Sequence, residues 1–299
     1  MQLYRVLILY GIPKKYRMGY IILIIIFIQF RMVVTFSTCW YNFKSKYDNS
    51  VYINWMDNML SNVNNYNLVI YSDYSSSLVL EKYAENPKIK IIIKPHNQFY
   101  TYKYRENWIL NHEKNDLLKN KIDWKINMLW NEKINFVNET MKNKYFDTEF
   151  YGWCDIGYFR NSSSDLSNEQ LTMWPSENKI NELNKEKIYY ACINNNSDYL
   201  INFTRLINDR LENGLPRTPI DPAQVTIAGG FFVSHKDNIN WWHEAYYKKL
   251  ELYFDNNYLV KDDQIIIVDC IFSNVDHFFI SREYNNTYDI WFMYQRLLL

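Results

Sequence analysis

The stretch FYGWCDIGYFRN (150–161) sets one carboxylate, Asp155, at the end of a run of aromatic residues. A strand that simply surfaces there would explain the acid. So would a carboxylate that holds a metal or a substrate at a sheet edge. The chain has only seven glycines, and four of them lie near this acid or in one other segment: Gly152 and Gly157 beside it, Gly229 and Gly230 inside IAGGFF. Glycine in so glycine-poor a chain marks places where the backbone needs unusual angles or close approach. The bland reading is a tight turn and a β-bulge. The chemical reading is a site built from two segments about 70 residues apart. In an open parallel α/β sheet, ligands bind beyond the carboxyl ends of the strands, and the pattern puts Asp155 at such an end. A carboxylate there can coordinate Mn²⁺ or Mg²⁺, with the diphosphate of a bound nucleotide supplying further oxygens. The triplet here is Asp155-Ile156-Gly157, with no second acid, so another ligand has to come from elsewhere.

KDDQ (261–264) is the second source. Asp262 and Asp263 are adjacent, so their side chains diverge. One can cap the helix that begins there; the other can face a cleft as a base, a metal ligand or an acceptor contact. The five histidines show no zinc-type spacing. A lone histidine is usually structural, and His235, which follows the Gly-pair strand, is the one candidate metal ligand among them. The four cysteines form no Cys-x-x-Cys pair, which argues against a zinc ribbon or a thioredoxin-like site.

The elements that would position these residues follow from hydrophobic patterning. MVVTFSTCW (32–40), NLVIYSD (67–73) and KIKIIIKP (88–95) read as strands. Between them, YINWMDNMLSNV (52–63) and SSLVLEKYAEN (76–86) read as helices. This β-α-β-α-β order predicts an α/β fold with a mostly parallel central sheet flanked by helices. Helices are expected over 102–115 and, as one element, over 124–142. EFYGWCDIG (149–157) is a fourth strand and its exit, and KIYYACIN (187–194) a further strand. AQVTIAGGFFVSH (223–235) reads as a strand with the Gly pair inside it. Helices are expected over 237–256 and 261–272.

Length, 48% hydrophobic residues and 18% aromatics describe a chain that can bury a large core. Thirty-three basic residues balance thirty-three acidic ones, so there is no global attraction for nucleic acid. Residues 1–31 are expected to form an N-terminal extension, with a membrane-associating or signal-like apolar segment within 18–31, and 32–299 the folded domain. Met32 as the functional start is the alternative.

TFSTCWYN, NLVIYSD, FYGWCDIGYFR, IAGGFFV and KDDQ, in this order, resemble the HtrL/YibB family over roughly residues 33–275. The resemblance implies a GT-A-like nucleotide-diphospho-sugar fold and glycosyl transfer assisted by Mn²⁺ or Mg²⁺. The family pattern carries over to Asp155 and Arg160, to Gly229 and Gly230 on the acceptor side, and to Asp263 and Gln264. By analogy with that fold, Thr35, Ser37, Tyr71 and Asp73 line the base and ribose pocket, and Lys133 reaches the diphosphate. Arg160 either holds a phosphate or locks the Asp155 turn. Asp155 binds the metal, and Asp263 or Asp262 is the candidate general base. A nucleotide sugar and a glycan acceptor are the expected partners. The rival expectations are a non-catalytic nucleotide- or glycan-binding module, and a membrane-tethered structural protein.

Overall fold

Two buried faces on one strand set the layering. In β1 (Val34–Trp40), Val34 and Phe36 point to one side while Thr35 and Ser37 point to the other, and all four are buried. Such a strand needs cover on both sides. The computed structural model describes residues 32–160, 166–285 and 287–299. The extension expected over 1–31 lies outside them. Among the described residues no helix is long and apolar enough to cross a membrane.

The chain continues through α1 (Asn49–Leu60), β2 (Asn67–Ser72), a 3₁₀ turn at Ser77–Tyr83 and β3 (Ile89–Ile93). Helices α2 (Arg105–Lys114), α3 (Trp124–Trp130) and α4 (Lys133–Lys142) precede β4 (Phe150–Cys154). Then follow α5 (Asn168–Leu171), α6 (Glu177–Asn181), β5 (Ile188–Ala191), α7 (Ser197–Asn208), β6 (Phe231–His235), α8 (Lys236–Asp255), α9 (Asp263–Ser273), β7 (Phe278–Ser281) and α10 (Met293–Leu297). Among the described residues, seven strands form one sheet in the order β3-β2-β1-β4-β6-β5-β7. Only β6 runs against the rest: it pairs antiparallel with β4 and β5, while β1–β2, β1–β4, β2–β3 and β5–β7 are parallel. The order turns back at β1, since β2 and β3 extend on one side of it and β4 starts the other.

One face of the sheet packs Phe36, Leu68, Ile70 and Phe150 against Met56 and Met59 of α1 and Met293 of α10. The other packs Val69, Tyr71, Trp153 and Phe232 against α4, α8 and α9, through residues such as Phe136, Trp242 and Ile266.

Three elements differ from their expected form, each for a visible reason. The helix expected over 124–142 is two helices. The Tyr247 hydroxyl enters the backbone ladder between them, donating to Asn131 O at 2.9 Å and accepting from Asn135 N at 3.1 Å. An inserted group of this kind breaks the i→i−4 bonding. The segment after Ser76 winds as 3₁₀ because Asp73 holds a tight turn: its Oδ1 accepts from Ser76 N at 2.7 Å and from Ser75 Oγ at 2.8 Å. The strand expected over 223–235 begins only at Phe231, so the Gly pair stands at its entrance rather than inside it.

Gly152 is the most tightly enclosed of the described glycines, since a Cβ there would stand 2.2 Å from the Phe232 carbonyl oxygen on β6. Backbone cannot yield as a side chain can. Gly152→Ala is expected to lower the unfolding free energy by about 1–3 kcal/mol or more in urea titrations, whereas a change within about 0.5 kcal/mol would contradict this packing.

Candidate functional site

Three chain segments bring a cation and three acids together. β1 and β4 end side by side at Trp40 and Cys154, where the strand order turns back. Asp155 follows β4 directly. Its N–H donates to Gly230 O at 2.8 Å, which extends the β4–β6 pairing by one step, and its carbonyl accepts from Tyr158 N at 2.8 Å, which closes the turn. Asp263 opens α9 and Lys133 opens α4.

Lys133 is the hub. Its Nζ donates to Gly229 O at 2.9 Å and lies 3.1 Å from Asp155 Oδ1 and 3.0 Å from Asp263 Oδ2. The Asp263 contact is one of charge. The ammonium is the partner of the buried Oδ2. Burial opposes the charge on Lys133, but Asp155 and Asp263 outweigh it and hold its pKa above the ordinary lysine value. Asp263 is displaced the other way. Burial, with Asp262 and Asp155 nearby, pushes its pKa up to about 6 against the pull of Lys133. The two acids differ in access: the Asp155 side chain is 42% exposed and that of Asp263 7%. The Trp153 indole N–H donates to Asp155 Oδ1 at 2.6 Å and fixes its orientation.

The Gly pair permits this approach. A Cβ on Gly229 would stand 2.8 Å from Asp263 Oδ2, and one on Gly230 would stand 3.1 Å from Asp155 Oδ2. These glycines therefore serve close approach and not a bulge. Gln264 Nε2 donates to Ile227 O at 2.8 Å, fastening the first turn of α9 to the segment that carries them. Asp262 occupies the N-cap position of α9, but its side chain makes no capping bond. Instead Asp262 Oδ2 pairs with Lys261 Nζ at 2.9 Å, and Oδ1 is buried with no partner.

A cavity of about 450 Å³ opens beyond the ends of β1 and β4. Asp155, Asp262, Asp263, Gly229, Gly230, Gln264 and Arg160 all line it. Arg160 Nε donates to Gly157 O at 3.2 Å, so it locks the Asp155 turn, and its guanidinium lies 4.3 Å from the centre of the Trp55 ring. Sequence reasoning missed Lys46, Trp130 and Trp291 on the same wall. Lys46 Nζ sits 4.8 Å over the Trp130 ring. Burial first, then Lys261 and Lys133, lower its pKa, against the pull of Asp262 and Asp263. The available signal was a basic residue six positions after the carboxyl end of β1.

Five expected site residues lie elsewhere. Thr35, Ser37 and Tyr71 are fully buried between the sheet and α4. Ser37 Oγ donates to Thr140 Oγ1 at 2.8 Å, Tyr71 OH lies 3.0 Å from the same oxygen, and Thr35 Oγ1 is 2.9 Å from Thr148 Oγ1. They form a polar seam in the core and do not line the cavity. Asp73 holds its own turn, as described above. His235 pairs with Phe150 at the start of β4, while Asp155 follows the end of that strand. It caps α8 and stands 3.3 Å from Glu149, so it cannot share a metal with Asp155.

The donor set does not fit a divalent ion. Such an ion takes several oxygens at short range, but the space between Asp155 and Asp263 is filled by the Lys133 ammonium. Among the described residues no three His, Cys, Asp or Glu side chains group as a metal site. No protein-family model matches the chain, and no curated protein matches it.

Removing one member of a buried ion group leaves the others uncompensated. Lys133→Met is expected to cost about 3–5 kcal/mol of stability at neutral pH. Adding Asp263→Asn should return a large share of that loss in a double-mutant cycle by urea unfolding. Strict additivity of the two changes would show that the contact carries no coupling.

Proposed function

We propose that the chain is a glycosyltransferase of GT-A-like architecture, which moves a sugar from a nucleotide-diphospho-sugar to a glycan or other hydroxyl-bearing acceptor. The observation that carries this reading is the cavity at the turn-back of the strand order, into which Asp155, Asp262 and Asp263 converge. That crevice is where open α/β sheets bind nucleotides, and its size suits a small molecule. Lys46 offers a cation to a diphosphate. Trp130, Trp291 and Tyr47 offer ring faces to a base or a sugar. Asp262 Oδ1 is a buried acceptor without a hydrogen-bond donor, which a sugar or ribose hydroxyl would supply. The resemblance to the HtrL/YibB family supports the same reading.

In a single displacement, Asp263 takes the proton of the acceptor hydroxyl. The resulting oxygen attacks the anomeric carbon, the bond from that carbon to the diphosphate breaks, and the nucleoside diphosphate leaves with the electron pair. Asp155, held by Trp153 and Lys133, orients the donor. Because the residues do not fit a divalent ion, the charge of the leaving group falls to Lys46 and Arg160. A non-catalytic binding module would use the same cavity, and the ion pair that engages Asp263 favours it. Such a module would bind a nucleotide sugar without hydrolysing it.

A thermal-shift screen with UDP- and GDP-sugars tests the proposal. A donor at 100 times its dissociation constant should add about 2.7 kcal/mol of stability, and Asp155→Ala should abolish the gain. Folded protein that no donor stabilises would refute the reading. The base makes a second demand. Asp263 must be ionised to accept a proton, and its pKa lies at about 6. Turnover should therefore fall as the pH drops through about 6. An acid limb near the ordinary carboxylate value of ~4 would remove Asp263 from that role.

A further inference from the structure

We propose that the Lys133 ammonium occupies, as a built-in cation, the position between Asp155 and Asp263 where a divalent metal would otherwise bridge the site, so that the site binds its nucleotide without one. The nucleotide half of this statement rests on the function proposed above; the cation half does not.

Three features of the chain point to it. The first is geometry. Asp155 follows β4 and Asp263 opens α9, yet both aim a carboxylate oxygen at one point, with the Gly229 carbonyl completing the set. Three oxygens around one cation, drawn from three separate segments, is an arrangement that a metal ion would also take. Here they surround a group carrying three N–H bonds. The second is the cost of putting a cation there. Lys133 is the first residue of α4, where the helix dipole disfavours positive charge, and it is buried. Only the two carboxylates can compensate both penalties, so the charge is held for the sake of the acids. The third is what surrounds the group. Gly229 and Gly230 lack the Cβ atoms that would press on Asp263 and Asp155, which keeps both acids within reach of one small cation. The residue two beyond Asp155 is Gly157, with no carboxylate to add, and Cβ space there is filled by the Trp55 ring at 2.9 Å.

The consequence is a division of labour. Lys133 neutralises the acids that would repel a diphosphate, and it is fully engaged in doing so. Lys46 and Arg160, the other cations lining the cavity, are the ones that would meet the diphosphate itself.

Isothermal titration tests both halves with the full chain. Mn²⁺ is titrated into the wild type and into Lys133→Met, and UDP and GDP are titrated into each with excess EDTA or with Mn²⁺. The wild type should show no Mn²⁺ binding that depends on Asp155, and its UDP or GDP affinity should be unchanged by EDTA. Lys133→Met should gain Mn²⁺ binding that a further Asp155→Ala abolishes. Its nucleotide affinity should drop on the order of tenfold in EDTA and return with Mn²⁺. Mn²⁺ binding to the wild type that is lost in Asp155→Ala would overturn the proposal. So would a folded Lys133→Met that gains no Mn²⁺ site. If Lys133→Met does not fold, the wild-type Mn²⁺ titration alone decides. If neither nucleotide binds the wild type, the functional reading fails, and the Mn²⁺ titrations still decide the cation claim.

Discussion

A buried ammonium between two carboxylates is the constraint on which the cavity depends. Lys133 sits where both burial and the helix dipole work against its charge, and Asp155, Asp263 and the Gly229 carbonyl hold it there. Each of the three comes from a different element, so the contact joins the end of β4, the start of α4 and the start of α9. The elements are arranged around that junction. The Tyr247 hydroxyl splits α3 from α4 just before Lys133. Gln264 ties α9 to the segment before the Gly pair, and the Gly pair lets the acids close in.

The same junction sets the electrostatics of the cavity. Three acids in so small a space would repel any phosphate. With Lys133 engaged by two of them and Lys261 by the third, the acids become oriented hydrogen-bond acceptors rather than a field of negative charge. Under the proposed function, the unpartnered Asp262 Oδ1 would meet a hydroxyl donor, while Lys46 and the lining aromatic rings would meet phosphate and rings.

Much of this was legible in the sequence, and the limits have physical causes. The parallel β-α-β-α-β start was readable because buried strands and amphipathic helices carry distinct periods. Asp155 and the Gly pair were readable because glycine is scarce in this chain, and they do meet. The reversal of β6 was not readable, since strand direction depends on how the chain returns and not on the strand's own residues. Thr35, Ser37 and Tyr71 misled because small polar residues at a strand can face a ligand or the next layer, and only the position of Thr140 on α4 decides. His235 misled because a strand has two ends, and it lies at the end away from Asp155. Lys133 was readable as a helix residue but not as a buried one, because the acids that hold it, Asp155 and Asp263, are distant in the chain.

The central claim is glycosyl transfer at this cavity, and release of nucleoside diphosphate is its most direct measure. The chain would be incubated with the nucleotide sugar that stabilises it, in EDTA, beside Asp263→Asn. The account predicts slow release of the nucleoside diphosphate by the wild type, with water as a poor acceptor, and loss of that release in the variant although the donor still binds. A donor that binds and is never cleaved, with or without added Mn²⁺ and glycan acceptors, would contradict it and leave a binding module in its place.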